Sequence, residues 1–422
     1  MKSFVHQSPR WLAALCVILL LSVACSEDPG EEANQEENVN NQNGENGEPQ
    51  VCDVESWQCA EYEDGFALSI RRHGHHTFML DDGLALLYGG SERAESHASS
   101  RAESWEVVDV HSGEIVKFEE FEEQRRNPSV VQLDSKGVLA IGGIRVIGSG
   151  TLHLDTVQYF HPPSLSWTPA PDMREAWERA VKLSDGDVLA MSTIRSGGAH
   201  HLDGQIFDVN DWSWTDITSA ELPHDGIDHT TFAPTADGRV VVAYRYLAPE
   251  EMQPEEEEFD LWTAAAAIFD PGSGDLVELQ EFDEIYGLEL LLDVTELPMT
   301  EQNIIHLRPF DLEDELDTQA YLVDPSSDHI EELYVRDPPP GNPVTVFPGD
   351  EILYRSGTQM QRFDVPGDRW RNFGSLPDKI YYSSMVMLPD CTLFMSGERT
   401  LNAPNDELRL VDTGFCHPDL SQ

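Results

Sequence analysis

The chain has 422 residues, 40% of them hydrophobic and 9% aromatic, so it is long enough and apolar enough to bury a sizeable core. Its formal net charge of -52 at pH 7 argues against nucleic acid and anionic lipid surfaces as partners of the folded body. The 30 glycines and 26 prolines indicate frequent turns instead of long helices, so we expect an all-β fold.

The N-terminal segment, residues 1–24, has the features of an export signal. Lys2 and Arg10 accompany the apolar run Trp11–Leu21, which is short for a membrane span. The motif Leu-Ser-Val-Ala-Cys ending at Cys25 resembles the lipobox of bacterial lipoproteins, which implies cleavage before Cys25 and lipidation of that cysteine. A plain secretory signal is the alternative, because Ser22 replaces the leucine that is usual at its position.

Residues 25–50 follow as an Asn-rich and acidic stretch with too little apolar surface to offset the entropy of ordering, which predicts a disordered tether. The membrane is then a partner only through the lipid anchor. We expect the protein at the cell envelope, either periplasmic or surface-exposed. The outer membrane is favoured over the inner membrane because Ser26 follows the lipidated cysteine.

Seven similar units follow between residues 51 and 422. In each unit an apolar residue precedes Asp, or His in one case, near the end of a predicted strand. These pairs lie 40 to 62 residues apart, with a mean spacing of about 50 residues. The pairs are Val108-Asp109, Phe160-His161, Phe207-Asp208, Phe269-Asp270, Val323-Asp324, Phe363-Asp364 and Val411-Asp412.

Two further signals share this period. Six residues after the pair, a large apolar residue begins a predicted outer strand; these residues are Ile115, Trp167, Trp214, Leu276, Ile330 and Trp370. Upstream of each pair a hairpin turn is predicted, of type I′ where the sequence is Asp-Gly. The turns are placed at Asp82-Gly83, Lys136-Gly137, Asp185-Gly186, Asp237-Gly238, Gln302-Asn303, Gly349-Asp350 and Asp390-Cys391.

A double glycine ends the second strand of the first two units, at Gly89-Gly90 and Gly142-Gly143, and is expected to let neighbouring backbone approach closely. Together these features resemble the kelch repeat. The resemblance implies a kelch-like β-propeller of seven four-stranded blades, similar to the propeller that forms the central domain of galactose oxidase. The blades would span residues 71–124, 125–173, 174–223, 224–282, 283–340, 341–379 and 380–417. Six or eight blades remain alternatives, because the fourth and fifth units are long and irregular.

The seventh unit lacks an outer strand of its own, since Pro418 stands where the large apolar residue is expected. Residues 56–62 look like an outer strand without a unit, so we predict that an N-terminal strand closes the ring and removes an exposed edge. Four cysteines map to this closing blade in an oxidising compartment. The favoured disulfides are Cys391–Cys416 and Cys52–Cys59, and a Cys52–Cys416 bridge is the alternative.

Every unit also carries an arginine near the end of its second predicted strand: Arg93, Arg145, Arg195, Arg245, Arg308, Arg355 and Arg399. Others lead into first strands, at Arg71, Arg72, Arg125, Arg126 and Arg174. On a propeller both positions face one mouth of the channel. Guanidinium groups there could bind carboxylates or sulfates. A structural role, in which each arginine pairs with an acid of its own unit, is favoured over ligand binding.

No catalytic residue, metal or cofactor is assigned. The acidic runs Glu255–Glu258 and Asp311–Asp317 lack EF-hand spacing, and the histidines of the same predicted face lack a carboxylate or cysteine at ligand spacing. These histidines are His73, His75, His76, His200, His201 and His229. We therefore expect a monomeric binding module for a protein or an acidic glycan. A kelch-propeller enzyme, oxidase-type or metal-dependent, and a purely structural envelope protein are the alternatives.

Overall fold

The computed structural model of the chain describes residues 52–53, 68–69, 75–80, 83–93, 99–101, 104–121, 125–147, 150–177, 179–248, 261–282, 289–297, 300–310, 319–333, 342–347, 351–356, 359–367, 369–375, 381–387, 392–398 and 406–412. All of them belong to one compact unit, Gly47–Gln422. Within this part of the chain, no helix has the length and apolar character that crossing a membrane requires. The predicted signal, Cys25 and the tether lie outside the described residues.

The fold is all-β, as predicted. The described residues form 33 strands and a short 3₁₀ helix at Pro162–Ser164. The strands build six four-stranded sheets, one five-stranded sheet and two two-stranded hairpins. We number the seven large sheets 1 to 7 in chain order. The first strand, β1 (Cys52–Asp53), belongs to sheet 7.

Sheets 1 to 3 occupy the first half of the chain. Sheet 1 contains β2 (His76–Met79), β3 (Leu84–Tyr88), β6 (Ser104–Asp109) and β7 (Ile115–Glu120), with the hairpin β4 (Ser91–Arg93) and β5 (Ser99–Arg101) inserted. Sheet 2 contains β8 (Ser129–Gln132), β9 (Val138–Ile141), β12 (Val157–His161) and β13 (Ser166–Ala170), with the hairpin β10 (Ile144–Ile147) and β11 (Gly150–His153). Sheet 3 contains β14 (Arg179–Lys182), β15 (Val188–Ser196), β16 (Ala199–Asp208), β17 (Ser213–Asp216) and β18 (Ala220–Leu222).

Sheets 4 to 7 repeat the arrangement. Sheet 4 contains β19 (His229–Pro234), β20 (Val240–Leu247), β21 (Trp262–Phe269) and β22 (Leu276–Glu281). Sheet 5 contains β23 (Glu289–Leu297), β24 (Gln302–Phe310), β25 (Gln319–Asp324) and β26 (His329–Leu333). Sheet 6 contains β27 (Asn342–Phe347), β28 (Glu351–Ser356), β29 (Gln359–Asp364) and β30 (Arg369–Ser375). Sheet 7 contains β31 (Tyr381–Met387), β32 (Thr392–Glu398), β33 (Asp406–Asp412) and β1.

Sheet 7 combines the two ends of the folded unit. Its last three strands pair antiparallel, and β1 lies parallel to β33 with Cys52 opposite Val411. An N-terminal strand therefore covers the edge of the C-terminal one. The segment 56–62, predicted for this place, lies outside the described residues, as do Cys59, Cys391 and Cys416 of the predicted disulfides.

Sheets that follow each other in the chain pack against each other. Apolar clusters join sheets 1 and 2, 2 and 3, 3 and 4, 4 and 5, and 5 and 6. One further cluster joins sheet 7 to sheet 1, through Phe394 and Leu87. Several first strands also lie side by side: β8 with β14, β14 with β19, β19 with β23, β27 with β31, and β31 with β2. The first and last sheets are therefore neighbours.

The Asp of the repeated pair holds the turn between the third and fourth strands. Asp208 Oδ1 accepts the backbone N–H groups of Asn210 and Asp211, at 2.8 and 2.9 Å, and Asp109 and Asp270 form the same pattern. The apolar member of the pair lies opposite the large residue of the fourth strand, as in Phe207 opposite Trp214. The spacing in the sequence between the repeated pair and the large apolar residue therefore reflects the length of the hairpin between the third and fourth strands.

The Asp-Gly turns of sheets 3 and 4, which the structure describes in full, differ from the predicted type I′. In the loop Leu183–Asp187, the N–H of Gly186 donates to the carbonyl of Leu183 at 3.0 Å, and only Gly186 of the Asp-Gly pair has a positive φ, 93°. This is a three-residue loop, in which one left-handed residue after a type I turn restores the strand twist. In sheet 5 the turn precedes the predicted Gln302-Asn303, because β24 begins at Gln302 and Glu301 has φ 57°.

Candidate functional site

The predicted arginines lie at corresponding ends of their sheets. Four are in second strands: Arg195 in β15, Arg245 in β20, Arg308 in β24 and Arg355 in β28. Arg93 and Arg145 lie in β4 and β10, the hairpin strands that follow second strands. Arg245, Arg308 and Arg355 are paired with His229, Leu291 and Asn342, near the starts of the first strands. Arg399 lies outside the described residues.

Arg245 is held by its own sheet. Its Nε donates to Asp228 Oδ1 at 2.7 Å and its Nη2 donates to Asp228 Oδ2 at 2.9 Å, which is a two-pronged ion pair. The guanidinium also lies 5.1 Å from the ring centroid of Trp262. Asp228 directly precedes β19, so this pair ties the start of the first strand to the end of the second. Arg245 therefore fits the structural role.

Arg195 is different. Its side chain is exposed, and none of the described residues forms an ion pair with it. It lies in the part of β15 that continues beyond the first strand, paired with His200 of β16. Arg145 is half-buried in the β10–β11 hairpin. Of Arg145, Arg195 and Arg245, the three predicted arginines whose side chains the structure describes, Arg195 is the exposed one, and its surroundings fit a solvent-accessible binding group.

Two arginines that lead into first strands have structural surroundings. Arg125 is buried, and its guanidinium donates to the carbonyls of Gly142 and Thr156 at 2.5 and 2.7 Å. Arg174 forms ion pairs with Glu175, Asp203 and Asp216, the last at 2.7 Å. These contacts fix loops within sheets 2 and 3, and the three carboxylates leave little net positive charge at Arg174.

A cationic cluster lies where sheets 3 and 4 meet. Arg179, the first residue of β14, donates to Thr231 Oγ1 at 3.1 Å, and its Nη2 lies 3.3 Å from His229 Nε2. Nearby, the hydroxyls of Thr193 and Thr230 are 2.6 Å apart across the same junction. We call Arg179, Arg195, Arg245, His200 and His229 the arginine cluster. The repeat pattern does not mark Arg179, because this residue lies at the start of a first strand and not at the repeated position.

The histidines of the cluster are neutral mainly because they are buried, and the neighbouring guanidinium charges add to this effect. Burial, followed by the charges of Arg179 and Arg245, lowers the pKa of His229 from 6.5 to about 4. Burial and the charge of Arg195 likewise lower the pKa of His200, with Asp225 opposing them. At pH 7 both imidazoles are neutral hydrogen-bonding groups beside fixed guanidinium charges. The local field is therefore positive on a chain with a net charge of -52.

No protein-family model matches the chain, and comparison with curated proteins finds no significant relative. The kelch resemblance therefore depends on the repeat pattern in this sequence alone.

Among the described residues, the other histidines of the predicted face do not form a metal site with the histidines of the arginine cluster. His75 is buried at the start of sheet 1, and His76 is solvent-accessible, although surrounding protein lowers its pKa through desolvation. His73 lies outside the described residues. Among the described residues, one group has the ligand types and separations of a metal site: His224, Glu278 and Glu281. None of the three is a repeated arginine position, but the group lies near two of them: His224 stacks on Tyr246, the neighbour of Arg245 in β20, and follows Leu222, which is paired with His200.

Proposed function

We propose that this chain is a lipid-anchored, seven-bladed kelch-like propeller whose arginine-bearing face binds an anionic ligand at the cell envelope. Two features support the propeller and its blade count. Sheets 1 to 6 each fall within one of the segments inferred from the repeat, and β31, β32 and β33 of sheet 7 fall within the last one. The contacts between sheets 7 and 1 bring the first and last segments together.

The arginine cluster carries the binding proposal. An arginine fork suits carboxylate and sulfate oxygens, because it offers parallel N–H donors in a fixed plane. Arg195 is exposed, and burial, followed by the charges of Arg179 and Arg245, lowers the pKa of His229 to about 4, so this imidazole is neutral at pH 7. A neutral imidazole and two threonine hydroxyls add uncharged hydrogen-bonding groups at the same junction. The ligand class that fits is an acidic glycan, or an acidic segment of a protein, bound by a monomeric module.

The test uses dextran sulfate and polygalacturonate as anionic probes and neutral dextran as the reference. We expect the full-length protein to bind both anionic polymers and to bind them more weakly as salt increases, since exposed charges are screened. Arg195→Gln should weaken binding by about tenfold, because a charge-assisted hydrogen bond contributes about 1.5–3 kcal/mol. The same change should leave the melting temperature nearly unchanged, since exposed ion pairs contribute only about 0–1 kcal/mol.

Arg174→Gln is the matched control, because that guanidinium already contacts three carboxylates. It should leave probe binding unchanged. If Arg195→Gln and Arg174→Gln bind the anionic probes as the unmodified protein does, the binding role of the cluster is wrong and the structural role is favoured. Arg245→Gln separates the two roles further, since it should lower the melting temperature by releasing Asp228.

A further inference from the structure

A histidine and two glutamates converge at the outer border between sheets 3 and 4. His224 lies in the segment between β18 and β19, and Glu278 and Glu281 lie in β22, the fourth strand of sheet 4. His224 Nε2 is 4.0 Å from Glu278 Oε1 and 3.5 Å from Glu281 Oε1. One ligand atom of each residue lies within 4.8 Å of the other two.

A bulge in β22 brings the two carboxylates together. In a regular strand, residues three apart point to opposite faces of the sheet. Here Glu278 lies opposite Ala267 and Glu281 lies opposite Ala265, because the register shifts between Ala266 and Ala267. The one extra residue places both glutamates on the face that carries Ala265 and Ala267. Bulges that redirect a side chain in this way are common next to functional sites.

The histidine is held in place by a tyrosine. The ring of His224 stacks on Tyr246 with centroids 3.9 Å apart and an interplanar angle of 15°. The side chain of His224 is 15% exposed, whereas those of Glu278 and Glu281 are 36% and 41% exposed. The group is therefore preorganised on its protein side and open to solvent on the other.

A second tyrosine near this group has a buried hydroxyl without a hydrogen-bond partner among the described residues. Tyr244 is fully buried, and its hydroxyl has no hydrogen-bond partner among the described residues. Its ring lies 5.8 Å from that of His224, and it is opposite Ala265 in the row that ends at Glu281. Burial, followed by the charges of Glu278, Tyr246 and Glu281, raises its pKa, which places the phenol within the field of the carboxylates. Buried hydroxyls normally have a partner.

We propose that His224, Glu278 and Glu281 bind a divalent transition-metal ion of the zinc type. Zinc accepts histidine nitrogen at about 2.0–2.1 Å and carboxylate oxygen at about 2.0–2.2 Å, so two tetrahedral ligands lie about 3.4 Å apart. The observed separations of 3.5 and 4.0 Å come close to that value. A nitrogen ligand disfavours calcium and magnesium, which prefer oxygen-only sites. Three protein ligands leave a coordination position for water or for another group.

The ion would connect the segment between sheets 3 and 4 to the outer strand of sheet 4. Binding of the ion would therefore stabilise the folded state. The site shares no residue with the arginine cluster, so it does not depend on the anion-binding proposal. The metal ion could therefore be bound even if the arginine cluster binds no anion.

The experiment is a calorimetric titration of the chelator-treated, full-length protein with Zn²⁺. We expect one high-affinity ion per chain and a higher melting temperature in the bound form. His224→Ala, Glu278→Gln and Glu281→Gln should each weaken the affinity by about tenfold or more. Glu278→Gln and Glu281→Gln should keep the chelator-treated melting temperature, because these side chains are partly exposed, whereas His224→Ala also loses the stacking on Tyr246 and should lower it.

The controls are His329→Ala and Glu331→Gln, which change exposed residues of the corresponding outer strand in sheet 5. They should bind Zn²⁺ as the unmodified protein does. Co²⁺ as a spectroscopic probe should give visible d–d bands without the intense sulfur-to-cobalt band of thiolate coordination. Equal affinity in the site variants and the controls, or a thiolate band, would overturn the proposal, since the ion would then be bound elsewhere.

Discussion

His306 is a buried titratable residue that supports the packing of sheet 5 against sheet 6. It is 4% exposed, and its Nε2 forms a hydrogen bond with the hydroxyl of Tyr354 in β28. Burial lowers its pKa from 6.5 to about 4. The folded protein therefore keeps this imidazole neutral, whereas the unfolded chain protonates it near pH 6.5.

This difference predicts a pH dependence of stability. Between pH 6.5 and about 4, only the unfolded state takes up the proton at His306, so the free energy of unfolding falls as the pH falls through that window. At about 1.4 kcal/mol per pKa unit, the contribution lost is about 3 kcal/mol. His306→Phe removes the titrating group, and its unfolding free energy should change less with pH. Urea melts at several pH values measure this slope.

The slope is the informative quantity, because His306→Phe also removes the bond to Tyr354 and lowers stability at every pH. His329→Phe changes an exposed histidine in the same sheet and should keep the slope of the unmodified protein. An identical slope in His306→Phe would contradict the assignment of this window to His306.

Single functional residues were the hardest to predict from the sequence. The arginine at each second strand was visible as a repeat, but its partner was not, since Asp228 reaches Arg245 only after the sheet has formed. Arg179 and the pair Glu278 and Glu281 had no signal at all. The first lies outside the repeat, and the other two share a face only because of a bulge that spacing does not reveal.

At the scale of elements, the sequence predicted hairpin lengths better than turn shapes. The interval from Asp208 to Trp214 is the third-to-fourth-strand hairpin, and its carboxylate caps explain why Asp is repeated. The predicted turn type was wrong because Asp-Gly also suits a three-residue loop, in which only one residue needs a left-handed conformation.

The double glycine of sheet 2 gives a testable case. Gly143 has φ 90°, and a Cβ there would lie 2.7 Å from the carbonyl oxygen of Arg126. Gly143→Ala should therefore destabilise the protein by about 1–3 kcal/mol, the usual range for strained backbone, as measured by chemical denaturation. Gly150→Ala is the control, because its nearest contact would be 3.7 Å away. It should change stability by less than about 0.5 kcal/mol. Equal effects would contradict the steric explanation.

At the scale of the whole molecule, the seven large sheets of the described residues, apart from β1, lie where the repeat period predicts along the chain. A period of about 50 residues is set by the length of one four-stranded meander, so it is readable even where individual motif residues vary. The N-terminal contribution to sheet 7 was anticipated from an unpaired edge. Its location at Cys52–Asp53, parallel to β33, was not, because two residues carry no periodicity.

That contribution predicts unequal roles for two neighbouring N-terminal segments. Deleting residues 51–62 removes β1 and exposes the edge of β33, so the melting temperature should fall and aggregation should increase. A loss of 1 kcal/mol corresponds to about 2–4 °C in a domain of a few hundred residues, which scanning calorimetry resolves. Deleting residues 26–50 removes only the predicted tether and should leave the melting temperature unchanged. If both deletions melt as the full-length protein does, β1 does not stabilise sheet 7, and the N-terminal strand is not what joins the two ends of the fold.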